Sequence, residues 1–168
     1  MSEFERLYDA AQLPPGPQRL RANPAECAAL AARFGLVAVH RLAATLSLSA
    51  DGPAIRASGT LKAAITQSCA ISGEDLAATI AAPLTLRFVP PADPKSLPQE
   101  LELTADDCDE IELSGTQFDL GEAIAQSLAL AIDPYATGPH AKAARTSPAL
   151  NSAAAAGPFA ALAALKGI

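Results

Sequence analysis

A chain of 168 residues, half of it apolar but only 4% aromatic, has room for one domain with a tail, or at most two very small domains. Its core must be a thin one of Leu, Ile, Val and Ala, and no apolar run approaches the ~20 residues that a membrane-crossing helix needs. The net charge of −6 excludes a purely electrostatic nucleic-acid binder, which would be basic overall.

That charge is divided along the chain. Residues 1–67 hold seven Lys/Arg against five Asp/Glu, residues 68–133 hold two against thirteen, and residues 134–168 hold three against none. Any contact with RNA must therefore be local. The acidic opening, Met1–Ala10, does not read as a secretory signal. Cys27, Cys69 and Cys108 are odd in number and widely spaced, which suggests reduced thiols in a cytoplasmic protein rather than a disulfide frame.

In chain order, residues 2–22 read as one or two short strands around the turn Leu13–Pro17. Asn23-Pro24 opens a helix, with Asn as cap and Pro in the first turn; it runs to Phe34 and ends at Gly35. Three alternating stretches follow, Leu36–Ala50, Pro53–Cys69 and Leu76–Val89. Asp51-Gly52 suits a two-residue hairpin turn, and Ser72-Gly73 suits a second. These turns place Leu48 opposite Ile55, Leu42 opposite Leu61, Cys69 opposite Leu76 and Leu61 opposite Leu84. The apolar side chains then share one face of a three-stranded meander, which a one-residue slip would expose.

The other face carries Arg41, Thr45, Arg56, Ser58, Thr60, Lys62, Thr66 and Arg87. In this register Arg41 faces Lys62 and Ser58 faces Arg87, and like charges directly opposite are destabilising. Pro83 cannot donate to a ladder, so it marks an edge or a bulge. After the proline-rich loop 90–98, short strands are expected at Glu100–Thr104 and Glu110–Leu113.

The stretch 114–135 contains a helix with both ends written in. Asp119 caps it and Glu122, three residues later, suits the reciprocal half of a capping box. Leu120, Ala123, Ile124, Ser127, Leu128 and Ala131 form its apolar stripe, and Asp133-Pro134 stops it. Residues 136–157 (Ala, Pro, Gly, Ser and Thr, without acids) read as a flexible linker, and Pro158–Lys166 as a short terminal helix. The expected architecture is α+β: an antiparallel sheet, curved or barrel-like, made of the meander plus short strands. Two helices pack its apolar side, in one domain over 1–135 with a flexible Ala/Pro-rich tail over 136–168.

Catalytic and metal constellations are weak. In the hairpin register His40 lies six residues from Cys69, roughly 20 Å of strand, so the two do not make a nucleophile pair. Cys69 falls on the apolar face as a buried thiol. Cys69-Ala-Ile-Ser72 lacks the second thiolate of a zinc knuckle. The acids at 106–110 lack the spacing of a calcium loop and read as a solvated run. Gln67, and Thr79 if a bulge turns it, are the inward polar groups that a small-ligand pocket could use. The constellation with a physical argument behind it is the basic sheet face. Arg41, Arg56, Lys62 and Arg87 alternate with Ser and Thr, which can donate to phosphate oxygens. The same pattern also fits an ordinary solvated face, or one neutralised by the chain's own acidic strands. No aromatic residue stands there to stack bases.

The stretch Gly59–Cys69 with its Gln67, the run Phe118-Asp119-Leu120-Gly121-Glu122, and Asp133-Pro134-Tyr135 together resemble the YceD family, the large ribosomal RNA subunit accumulation proteins. The resemblance spans about residues 2–135 and touches the tail at 158–166. It implies a cytoplasmic, non-enzymatic factor without a cofactor, needed for accumulation or processing of large-subunit ribosomal RNA. Its implied partner is that RNA or a large-subunit ribosomal protein, with no membrane and no small-molecule substrate. Ser72 stands where many members have a second cysteine, so a metal site is not carried over.

Overall fold

A computed structural model describes residues 2–91, 110–113 and 115–146. Its elements are β1 (Leu7–Asp9), β2 (Pro17–Arg21), α1 (Pro24–Phe34), β3 (Ala38–Asp51), β4 (Ala54–Ser68), β5 (Asp75–Val89), β6 (Glu110–Glu112), β7 (Gln117–Asp119), α2 (Leu120–Ala131) and α3 (Ala141–Arg145). Five strands form one sheet in the order β2-β3-β4-β5-β6, and β1 pairs with β7 in a second, two-stranded sheet. The fold is α+β. Among the described residues the large sheet is open rather than closed as a barrel, and it is mixed, because β6 runs parallel to Arg87–Val89 of β5.

Helix α1 has the expected ends. The Asn23 side chain accepts from Glu26 N–H and the Glu26 carboxylate accepts from Asn23 N–H, while Gly35 closes the C-terminus. The meander keeps the expected faces but not the expected partners. Gly52-Pro53, not Asp51-Gly52, forms the first turn, with Gly52 at φ 61° and Asp51 paired with Ala54. A glycine with positive φ followed by a proline is the pattern of a type II′ turn, which spares Asp51 the positive φ a type I′ turn would impose. Leu48 thus faces Ala57 and Leu61 faces Ala82. Both registers move by two residues (on β3, from Arg41 to Asp51), so the inward and outward faces are kept.

The inner face buries Leu42, Leu46, Leu61, Ile65 and Phe88 against Leu30 of α1 and Leu120, Ile124 and Leu128 of α2. Each such burial contributes about 1.5–3 kcal/mol. Three aromatics meet where the two sheets join: Phe118 lies 4.5 Å from Phe88 and 5.8 Å from Tyr8, centroid to centroid. Pro83 is exposed on β5, ahead of the stretch where β6 pairs.

Residues 136–146 differ from the expected linker. Ala70 N–H donates to the Ala136 carbonyl at 3.0 Å, Gly138 N–H donates to Cys69 Sγ at 3.4 Å, and Ala141 is buried at the start of α3. Packing against the β4–β5 turn, which composition alone does not reveal, orders this stretch. The expected strand at 100–104, the rest of the linker and the helix at 158–166 lie outside the described residues.

Candidate nucleic-acid interface

The outer sheet face can be read row by row from the register. Arg19 faces Thr45, which faces Thr60; Arg21 faces Ala43, which faces Lys62. One step further along β3, Arg41 faces Ala64. Neighbouring strands are about 4.8 Å apart and same-face residues on one strand about 6.7 Å. Ala43 therefore sits at the centre, with Arg21 and Lys62 across from it and Arg41 and Thr45 along its own strand. A methyl group among long side chains leaves a hollow of about 360 Å³, whose lining includes Arg19, Arg21, Arg41 and Lys62. All four cations are exposed. None has a carboxylate within 4.0 Å among the described residues.

The other end of the same face is organised differently. Arg56 stands directly opposite Arg87, an arrangement that repels unless acids intervene. They do. Asp51 Oδ2 lies 3.7 Å from Arg56 Nη2 and 3.8 Å from Arg87 Nε, and Arg87 Nη1 donates to Glu110 on β6. The expected four-residue site is thus divided. Arg41 and Lys62 come together, although Arg41 does not face Lys62 but lies one row away. Arg56 and Arg87 fall some 20 Å along β4 from Lys62 and are neutralised by the chain's own acids.

Arg19 and Arg21 complete the open cluster and were not among the expected residues. The signal available in the sequence was the alternation Arg19-Leu20-Arg21, with Leu20 buried between two exposed arginines. It is short, and α1 separates it from β3 in the chain.

The family-motif residues lie elsewhere, at joints of the fold. Gly59 and Gly121 are close-approach positions: a Cβ on Gly59 would run into the Thr45 carbonyl oxygen, and one on Gly121 into that of Phe4. Gln67, buried, donates through Nε2 to the Asp133 carbonyl at 2.8 Å, tying β4 to the end of α2. It is therefore engaged within the fold. Asp133 in turn accepts from Tyr135 N–H, holding the turn at Pro134. Asp119 caps α2 by accepting from Gly121 and Glu122 N–H and also takes Arg6 N–H at 2.8 Å; Leu120 is fully buried.

Glu122 does not complete a capping box. Its carboxylate meets Arg33 of α1 at 2.6 Å and accepts from Ser2 and Gln126. The Arg33 hydrogen bonds hold its pKa down to about 2 from the ordinary 4.5, against the opposing effect of burial. Cys69 is buried in the β4–β5 turn rather than opposite Leu76, which faces Gln67. Hydrogen bonds from Ser72 and from Gly138 N–H hold its thiol down to about 6. His40 stands at a bulge in β3, within 2.8 Å of Thr66 Oγ1. No grouping of three or more His, Cys, Asp and Glu suited to hold a metal ion occurs among the described residues.

An open sheet with helices on its apolar side and a hollow lined by Arg19, Arg21, Arg41 and Lys62 on the other defines an α+β protein with a basic outer sheet face. Residues 57–166 match the model of the YceD family, described as large ribosomal RNA subunit accumulation protein YceD, and the chain belongs to that family. No curated protein and no solved structure matches it.

Proposed function

We propose that the protein is a non-enzymatic factor of the cytoplasm that supports large-subunit ribosomal RNA by binding it through the outer sheet face. The observation that carries this reading is the cluster of Arg19, Arg21, Arg41 and Lys62 with no carboxylate beside it among the described residues. In an acidic chain, a basic cluster without acids beside it maintains a local positive potential that attracts phosphates. The family description supplies the kind of RNA. Depleting the protein from cells should lower large-subunit relative to small-subunit ribosomal RNA, and the protein should sediment with large-subunit precursors. An unchanged ratio, with the protein remaining at the top of the gradient, would refute the reading.

A second reading is an adaptor that reaches the ribosome through a basic ribosomal protein and touches no RNA. The net charge of −6 favours it. Against it, three acids of the described part of the acidic segment are engaged within the fold: Glu110 with Arg87, Asp119 as a cap, and Glu122 with Arg33. Crosslinking of the purified protein to ribosomal RNA, with and without large-subunit proteins present, separates the two.

A further inference from the structure

We infer that the hollow over Ala43 is a seat for a backbone phosphate of helical RNA, so that the protein grips the phosphate ladder of a stem and reads neither bases nor single strands. The inference rests on the RNA-binding reading above and adds to it the form of RNA and the residue that shapes the contact.

Three observations support it. The first is the floor. Ala43 is flanked by Arg21 and Lys62 on adjacent strands, so an anion resting on its methyl group would be within reach of charges from both sides. The second is the rim. The Thr45 and Thr60 hydroxyls, paired across β3 and β4, add neutral donors of the kind that bind phosphate oxygens. The third is what the face lacks. Its exposed positions on β2, β3, β4 and β5 carry Arg, Lys, Thr, Ser, Ala and Pro, with Asp51 and Asp75 at the strand ends and His40 at the bulge, but no Phe, Tyr or Trp.

Sheets that bind single-stranded RNA stack bases on aromatic side chains and read their edges. A face whose ring among the described residues is that of His40, already held by Thr66 Oγ1, gains little from unstacked bases. It gains most from phosphates already held at regular spacing, as in a stem. The neutralised pair Arg56 and Arg87 then confines the charged patch to one end of the sheet, which suits one short stretch of backbone.

The test uses the full chain and three probes: an RNA hairpin stem, the same stem with its base pairs permuted, and a single strand of equal length. Two variants address the seat, Ala43→Leu to fill it and Ala43→Ser to preserve it, each checked for an unchanged melting transition. A third, Arg21→Gln with Lys62→Gln, removes the flanking charge should Ala43→Leu fail to fold. The stem and its permuted form should bind alike, and about tenfold more tightly than the single strand, since stacking is unavailable to reward it. Ala43→Leu should weaken stem binding about tenfold, with Ala43→Ser near the parent. The double Gln variant should reduce the slope of log affinity against log salt by about 2. A single strand bound as tightly as the stem, or an Ala43→Leu protein that binds as the parent does, overturns the seat while leaving RNA binding intact. No binding to any of the three RNAs overturns the seat and the RNA-binding reading together.

Discussion

The two ends of the outer sheet face use the same residue types to opposite effect. Around Ala43, the cations Arg19, Arg21, Arg41 and Lys62 have no acid among the described residues, whereas Arg56 and Arg87 share Asp51 and Arg87 also holds Glu110. A count of basic residues on the face would treat all six alike. The difference lies in cross-strand partners. Direct opposition of Arg56 and Arg87 needs compensation, and acids from the hairpin turn and from β6 provide it. Arginine on a sheet face is a functional signal only where the fold leaves its charge uncompensated. Arg33 is the far extreme, with Glu122 and Glu3 both bonded to its guanidinium.

The contrast can be broken by charge. Reversing the open end with Arg21→Glu and Lys62→Glu should lower affinity for a ribosomal RNA stem by about a hundredfold or more, because lost attraction is joined by repulsion of phosphate. A titration at fixed low salt reads this out, and a loss below threefold would move the contact elsewhere. For the cation committed to the fold, Glu122→Gln should destabilise the protein at neutral pH by about 1–2 kcal/mol, the worth of a charged hydrogen bond. The folded-state pKa of Glu122 is depressed to about 2 from 4.5. Its contribution is therefore complete above about 4.5 and is lost as pH falls from there through about 2. Urea unfolding of parent and variant should converge over that window, and parallel pH profiles would show that the ion pair is not the source.

Smaller effects sharpen the contrast. Asp51→Asn combined with Glu110→Gln uncovers Arg56 and Arg87 without changing the shape of the turn, and should raise RNA affinity about threefold with a steeper salt dependence. An unchanged slope would mean that the second end lies outside the reach of bound RNA. Arg56→Gln, at an already neutralised and exposed position, should alter affinity by less than about twofold, as expected of a screened surface charge. A loss matching that of the Arg21/Lys62 variant would erase the distinction between the two ends.

How far these features were legible in the sequence follows from the range of the interactions that set them. Helix α1 was readable because Asn23, Pro24 and Gly35 act on their own neighbours. The inward and outward faces of β3, β4 and β5 were readable because side-chain direction alternates with period two. Cross-strand partners were not. Moving the first turn from Asp51-Gly52 to Gly52-Pro53 shifts the β3–β4 register by two and removes the Arg41–Lys62 opposition. The longer β4–β5 connection shifts that register by two and creates Arg56–Arg87; both faces are preserved. Glu122 has a cap-like spacing from Asp119, but nothing local announces Arg33, 89 residues away. Strand β7 and the ordered stretch through α3 depend on Tyr8 and on the Cys69 turn, contacts with no local signature. The basic cluster itself was half visible, since Arg41 and Lys62 sit on long alternating strands while Arg19 and Arg21 sit on a five-residue one.

The central claim is that RNA lies on the Ala43 end of the sheet and not on the Arg56 end. Site-specific photocrosslinking in cells tests it most directly, with the photoreactive side chain at Thr45 in one strain and at Ser49, beside the Arg56–Arg87 pair on the same strand and face, in another. Crosslinks from Thr45 to large-subunit ribosomal RNA, with Ser49 giving few or none, are the predicted result. Equal RNA crosslinking from both positions, or crosslinks from Thr45 to protein alone, would contradict it.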